Sequence, residues 1–461
     1  MHIRKFDFDF SRRHFMKQMA TGVISTGVLA PLWATIAKGN TLEKVYPDEI
    51  SSLEMITKGK INTGDVISAA NVEHVKDLLD PIAYLEVSQQ GREIDTIPTT
   101  TNPEWLAPTD YMAASIRNSG RGIFDATGNV RTDDGTPWIG GNPFPDAKSA
   151  TEALANLTLS WGRYDHTYYA IREQDLNPNG SVAYDYDFVW AEMQGTGRIT
   201  MEDRNFRGKT DTLRYQSIFF TRPQDIKGTA FLSVWPYDQN EFPSLNGYLP
   251  AFKRVRRFPT NQRFEPLIPG PTWYISDAWA AGDPFLTWGN FKLVYRGPML
   301  GTGATGNFGG DHPNWERPKV GGAEGKSFFR TSYELIPDVI VLDAEPIKYP
   351  RAPISKRRVY IDARSMQGWN GINYDRRGEA YRSFEQGNGM SIGKDGVAVN
   401  ALNGKSPLWT WNHVISHDIQ TNRISLIQLV DEVKGGHKTH YNNPEDYDRF
   451  LTVSAMRRLG S

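Results

Sequence analysis

Cysteine is absent from all 461 residues. That excludes disulfides, thiolate metal sites, iron–sulfur clusters, covalent c-type haem and a lipid-modified cysteine anchor. An excess of either charge is also lacking, with Lys plus Arg at 52 and Asp plus Glu at 53. No global field therefore draws the chain to nucleic acid or to an anionic membrane. Removing residues 1–39 takes away six basic and two acidic groups and leaves the remainder mildly acidic. The uncharged stretch Gln18–Ala37 is interrupted by Thr21, Gly22, Ser25, Thr26, Gly27 and Pro31, which makes it a poor permanent membrane anchor. What is plentiful is aromatic residues (12%), Gly (42) and Pro (28), a balance that favours strands joined by turns.

The opening block "SRRHFMK", Ser11–Lys17, precedes that uncharged stretch. Basic residues, an apolar run and then small residues is the order of a secretory signal. The block resembles the twin-arginine export motif, with Met16 replacing its leucine. Arg12 and Arg13 offer two rigid, permanently charged forks to an acidic receptor, which lysine supplies less well. Residues 1–39 are expected to be an export signal cleaved near Ala37, placing the chain in a bacterial periplasm with no stable membrane span after processing.

Residues 40–150 read as a helical, loop-rich segment packing on a sheet. In "NVEHVKDLLDPIAYLEVSQQ" Val72, Val75, Leu78 and Leu79 recur at helical spacing, and Pro81 interrupts them. Residues 91–147, rich in Pro, Gly, Thr and Asn, read as long ordered loops. "SATEALANLTLSWGRY" predicts a helix capped by Ser149 with Glu152 three residues on. Residues 151–461 are expected to form the sheet domain. "TLRYQSIFFTRPQDIKGTAFLSVWPY" alternates, turns at Pro223–Gly228 and alternates again, which predicts a hairpin. "GYLPAFKRVRRFP" and "TWGNFKLVYRGPML" each read as a strand, residues 297–325 as a glycine-rich loop, Gly368–Gly371 as a turn, and Thr421–Asn422 as the tip of a last hairpin. The fold class is mainly β (α+β): one large, strongly curved antiparallel sheet with a few packed helices and long loops.

Few patterns suggest chemistry. "GTGATG", Gly301–Gly306, fits G-x-G-x-x-G by letter, but "NFGGDHPNW" cannot begin the helix that a pyrophosphate site needs. "VGGAEGKS" fails the spacing of a phosphate loop. Asp185, Asp187 and Glu192 read as a solvated face. Four histidines crowd the C-terminus: His413, His417, His437 and His440. His413 and His417, four apart, suggest a metal face if helical, but β-branched Val414 and Ile415 favour a strand that carries both rings on one side. No cofactor is called for, and no catalytic constellation stands out. Lys253, Arg254, Arg256 and Arg257 either guard a sheet edge or hold an anionic headgroup or partner. Trp190, Leu213, Tyr215, Phe219, Phe231 and Trp235 are the candidate lining of a hollow in the curved sheet.

Five separated blocks carry a resemblance: "GGNPFPDAKSATEALANLTLSWGRY", "RPQDIKGTAFLSVWPYDQ", "GYLPAFKRVRRF", "KRRVYIDARSMQGWNGINYDRRGEAYR" and "HDIQTNRISLIQLVDE". From about residue 65 onward the chain resembles the bacterial domain-of-unknown-function family 1329. That family is similar to periplasmic lipoprotein carriers of the LolA and LolB type, which implies a half-open antiparallel β-barrel closed by helices around an apolar cavity. Some members sit beside transporters of the resistance-nodulation-division type. The resemblance implies a periplasmic protein that binds or carries a lipid or other hydrophobic molecule for envelope transport, with an inner-membrane transporter or an outer-membrane protein as partner. Two alternatives stay open: an exported metal-dependent enzyme using the C-terminal histidines, and an adaptor of such a transporter.

Overall fold

The computed structural model describes residues 46, 48–101, 103–159, 163–259, 263–278, 283–302, 320–321, 328–329, 331–390 and 409–460. Arg12, Arg13 and most of the segment 303–325 lie outside the described residues.

The expected alternation builds strands β1 His166–Leu176, β2 Val182–Gln194, β3 Thr212–Arg222, β4 Ala230–Pro236, β5 Ser244–Leu249 and β6 Arg254–Phe258, each antiparallel to the one before. A second meander holds β7 Gly289–Thr302, β8 Ser332–Glu345, β9 Ile354–Asp362, β10 Gln367–Asp375 and β11 Ala380–Ser383. Strands β12 Glu385–Met390, β13 Trp409–Asp418 and β14 Arg423–Val430 join the halves, because β13 pairs with β12 and touches β11 while β14 pairs with β1. The spatial order is therefore β6-β5-β4-β3-β2-β1-β14-β13-β12/β11-β10-β9-β8-β7. Its two ends, β6 and β7, are consecutive in the chain but unpaired among the described residues, so the barrel is half open.

Curvature follows from what the connection between those ends touches. Within residues 263–278, Arg263 lies over the Trp235 ring of β4, Trp273 bonds Glu173 of β1, Thr272 bonds Ser416 of β13 and Ser425 of β14, and Asp277 pairs with Arg357 of β9 and Arg382 of β11. One short segment reaches strands from both halves only if the sheet wraps around it.

Among the helices of the described residues that cover this sheet are α1 Pro81–Gln90, α2 Thr109–Arg117, α3 Ala150–Leu159, α4 Asp446–Phe450 and α5 Val453–Leu459. Helix α3 packs inside with the covering segment, where Ala153, Leu154 and Leu157 meet Leu342, Val359 and Ile361. Its start is the expected reciprocal cap, Glu152 N–H donating to Ser149 Oγ and Ser149 N–H to Glu152 Oε2, both at 3.2 Å. Helices α4 and α5 cover the other face through Phe450, Leu451 and Met456. No helix of the described residues is long and apolar enough to cross a membrane.

Several expectations need correction. Pro81 begins a helix instead of only interrupting one: it occupies the first turn of α1, capped by Asp80, where a missing N–H costs nothing. Residues 91–147 include helix α2 and the hairpin Gly122–Phe124/Val130–Thr132. "GYLPAFKRVRRFP" is two strands, since Pro250–Phe252 turns the chain. The turn after β9 is at 363–366, held by the Arg364 N–H donating to Asp362 Oδ1 at 2.9 Å, and Gly368–Gly371 lie inside β10. Residues 297–302 continue β7. Gly301 leaves room there for the Trp369 ring, which an added Cβ would approach to 3.1 Å.

Candidate functional site

Alternation divides the strands' side chains between the two faces. On the inner face Tyr169 and Ile171 of β1, Phe188 and Trp190 of β2, Trp411 and Val414 of β13 and Ile427 of β14 form one apolar wall. Trp273 and Ala278 of the covering segment close it. The cavity between these groups is about 30 Å³. A guest must therefore move side chains to enter. A second apolar recess sharing Phe188 and Trp273 lies beside it, bounded by Ile218, Phe220, Leu267, Ile268 and Glu173.

Beside the hollow the covering segment is held at Trp273 and Thr272, while Asp277, paired with Arg357 and Arg382, anchors its far end. The indole N–H of Trp273 donates to Glu173 Oε1 at 2.7 Å. The Thr272 N–H donates to Ser425 Oγ at 2.9 Å and its hydroxyl to the Ser416 carbonyl at 2.8 Å. Burial, reinforced by Asp175 nearby, pushes the Glu173 carboxyl well above its ordinary range, and burial pushes Asp175 up to about 6. A protonated carboxyl at the edge of an apolar recess adds little charge to it.

The six residues proposed from alternation do not share a face. A bulge between Thr212 and Arg214 flips the pattern in β3, so Leu213 turns inward while Tyr215 and Phe219 pack outward against Tyr447 and Phe450. Trp190, Phe231 and Trp235 are inward, but only Trp190 of the six borders the larger hollow. Trp235 is fully buried beneath the guanidinium of Arg214, 4.2 Å from its ring centroid. Leu213 faces a smaller recess with Tyr111, Trp138 and Arg163. The other lining residues come from β1, β2, β13, β14, the covering segment, and Phe384 and Gln386 at the start of β12. The alternation of Tyr169 and Ile171 was readable in "HTYYAIREQDL", but Trp411 and Val414, three apart, share a face only through a bulge at Asn412, and nothing periodic marked Trp273.

His413 and His417 are on a strand, β13, as favoured, and both are buried on its outer face. His417 Nδ1 is 2.8 Å from Glu86 Oε1 of α1, a carboxylate also paired with Arg92. His413 packs against Gly387 and the Phe329 ring, and burial with Arg92 nearby lowers it to about 3. The solvated face is also overturned: Asp187 is buried and paired with Arg172 and Arg222, and Glu192 is buried and accepts a bond from Gln216. Lys253, Arg254, Arg256 and Arg257 are all exposed on the free edge strand β6 or at its start. The letters G-x-S-x-G occur at residues 389–393. Gly389 and Met390 end β12, and Ser391 lies outside the described residues.

Residues 66–457 match the family described as "Protein of unknown function (DUF1329)". The chain belongs to the DUF1329 family. Among solved structures, this DUF1329 chain is similar to a domain named for outer membrane lipoprotein sorting from Vibrio parahaemolyticus, at 14% identity over 68% of this chain and 99% of that one, with a TM-score of 0.43. It is also similar to a DUF1329 family protein from Desulfovibrio piger (14%, 67% and 97%, TM-score 0.40) and to a LolA superfamily protein from Nitrosomonas europaea (13%, 66% and 99%, TM-score 0.35). No curated protein matches it in sequence.

Proposed function

We propose that this DUF1329 protein holds a hydrophobic molecule, an acyl lipid in chemical class, between its inner sheet face and the covering segment, and carries it through the periplasm. The observation that supports this most is an aromatic, almost wholly apolar hollow closed by a segment that bridges two unpaired sheet edges. Withdrawing about ten methylenes from water contributes roughly 8 kcal/mol. The few hydrogen bonds that hold Trp273 and Thr272 are worth about 1 kcal/mol each. An acyl chain therefore offsets the loss of those bonds beside the hollow without any reactive group, while the Asp277–Arg357 and Asp277–Arg382 pairs keep the far end of the segment anchored. The twin-arginine block supports the compartment, and the exposed cations of β6, beside the opening, suit docking on an anionic membrane surface or headgroup.

The test is mass spectrometry of organic extracts from the full chain purified without detergent. Co-purifying lipid near one equivalent per chain is expected. A consistently empty protein that also takes up no lipid from vesicles overturns the proposal.

A further inference from the structure

Away from the hollow, on the outer face, three potential ligands converge. His166 begins β1, His440 belongs to the short strand His440–Tyr441 that pairs with β1, and Asp446 opens α4. Their donor atoms lie within 4.8 Å of one another. Asp446 Oδ2 is 2.5 Å from His440 Nε2 and 3.3 Å from His166 Nε2. Among the described residues no other group of three or more ligating side chains converges this way.

The hydrogen bonds around the cluster suit a ligand set. His440 Nδ1 is 2.9 Å from the Lys438 carbonyl, which can only accept, so Nδ1 carries the proton. In neutral imidazole this leaves a lone pair on Nε2, aimed at a carboxylate oxygen. Either a proton on Nε2 or a bound cation must therefore lie between the two atoms. The ring of His166 is 1% exposed, and neither of its nitrogens makes a hydrogen bond among the described residues, although Nε2 faces the same carboxylate. Asn443 Nδ2 donates to the other Asp446 oxygen at 3.2 Å, an outer contact of the kind that orients a ligating carboxylate.

We propose that His166, His440 and Asp446 bind one divalent transition-metal ion, Zn²⁺ in chemical character. Two imidazoles and a carboxylate match the borderline preference of Zn²⁺, and bonds of about 2.0–2.2 Å place tetrahedral donors roughly 3.3 Å apart. The His166–Asp446 separation already fits, and the His440–Asp446 pair opens by less than about 1 Å. His440 is the one partly exposed member, leaving its side for a water as fourth ligand. The ion ties β1 to the C-terminal segment, whose Phe450 stacks on Phe219 at 5.7 Å. It is thus a staple on the outer face, separate from the lipid hollow.

The experiment is elemental analysis of the full chain, purified without chelator or immobilised-metal column and dialysed against equimolar ZnCl₂. About one Zn²⁺ per chain is expected, with a thermal midpoint that falls on EDTA treatment and returns with Zn²⁺. Asp446→Asn should lose the ion, Asn443→Ala should weaken Zn²⁺ binding about 10–100-fold while remaining folded, and exposed His74→Ala should retain it. Co²⁺ added to wild type should give a visible ligand-field absorption that Asp446→Asn lacks. Less than a tenth of an equivalent of metal, with no midpoint shift by Zn²⁺ or EDTA, overturns the proposal and leaves a protonated His440–Asp446 pair instead.

Discussion

The indole N–H of Trp273 donates to the buried carboxyl of Glu173 at 2.7 Å, joining the bridge between the open barrel's two free edges to a strand in the middle of its wall. Truncation of that side chain should unlatch the lid and remove part of the wall. Trp273→Ala is expected to lower unfolding free energy by about 3–5 kcal/mol and to speed uptake of a hydrophobic dye several-fold. Denaturant unfolding and stopped-flow fluorescence measure the two. Unchanged uptake would mean the segment is no lid.

The two faces of the sheet should respond differently. Phe219→Ala, on the outer face against Phe450, should destabilise by about 3–5 kcal/mol and leave lipid stoichiometry intact. Trp190→Ala, in the hollow wall, should weaken lipid binding at least about tenfold beyond any loss of stability, because it removes contact surface from the guest. Equal effects of both on binding would contradict the assignment of faces.

The contributions of Asp80 and Asp175 to stability should fall as pH rises through the weakly acidic range, against the opposite contribution of buried His413. Asp80 is fully enclosed and burial raises it from 3.8 to about 7, while Asp175 is raised to about 6. An acid with a raised folded pKa contributes its stabilisation below the unfolded value and loses it as pH climbs toward the folded one. Both therefore act between about pH 4 and pH 7. Asp80 Oδ1 accepts from the Ile82 and Ala83 N–H groups, and Oδ2 accepts from Asn370. Asn370 Oδ1 has no partner among the described residues, so Asp80→Asn keeps the helix cap and turns the Asn370 amide to pair with the new donor. That variant should flatten the pH profile and match or exceed wild type at pH 8, by a difference on the order of 2–4 kcal/mol. Urea unfolding at pH 5 and pH 8 checks it.

The basic edge makes a separate prediction. Replacing Lys253, Arg254, Arg256 and Arg257 together with glutamine should reduce sedimentation with anionic vesicles by more than about tenfold at low salt, and the difference should fade as salt screens the charges. Soluble-lipid binding in the hollow should not change.

How much was legible depended on whether a feature was local. Helix α3 was, because Ser149 and Glu152 cap it within four residues. The β3–β4 hairpin was too, because its turn and alternation sit in one stretch of chain. The lining was not, because a single bulge at Leu213 inverts the side chains that follow it in β3, and alternation alone cannot see it. Glycine misled at Gly368–Gly371: the real turn takes its left-handed residue from Met366, at φ 56°, and its anchor from Asp362. Trp273 was invisible because a covering segment touching strands from both halves has no period of its own. Asp187 looked solvent-facing until distant Arg172 and Arg222 were placed beside it.

The most direct measurement is quenching of intrinsic fluorescence by an acyl chain brominated near its middle, titrated into the full protein and into a variant with Trp190, Trp273 and Trp411 replaced by phenylalanine. Bromine quenches only indoles it can touch, and among the described residues these three tryptophans border the hollow. Saturable quenching at about one chain per protein, largely lost in the variant, is the predicted result. Quenching that never saturates, or that is the same in both proteins, would contradict a guest held inside the sheet.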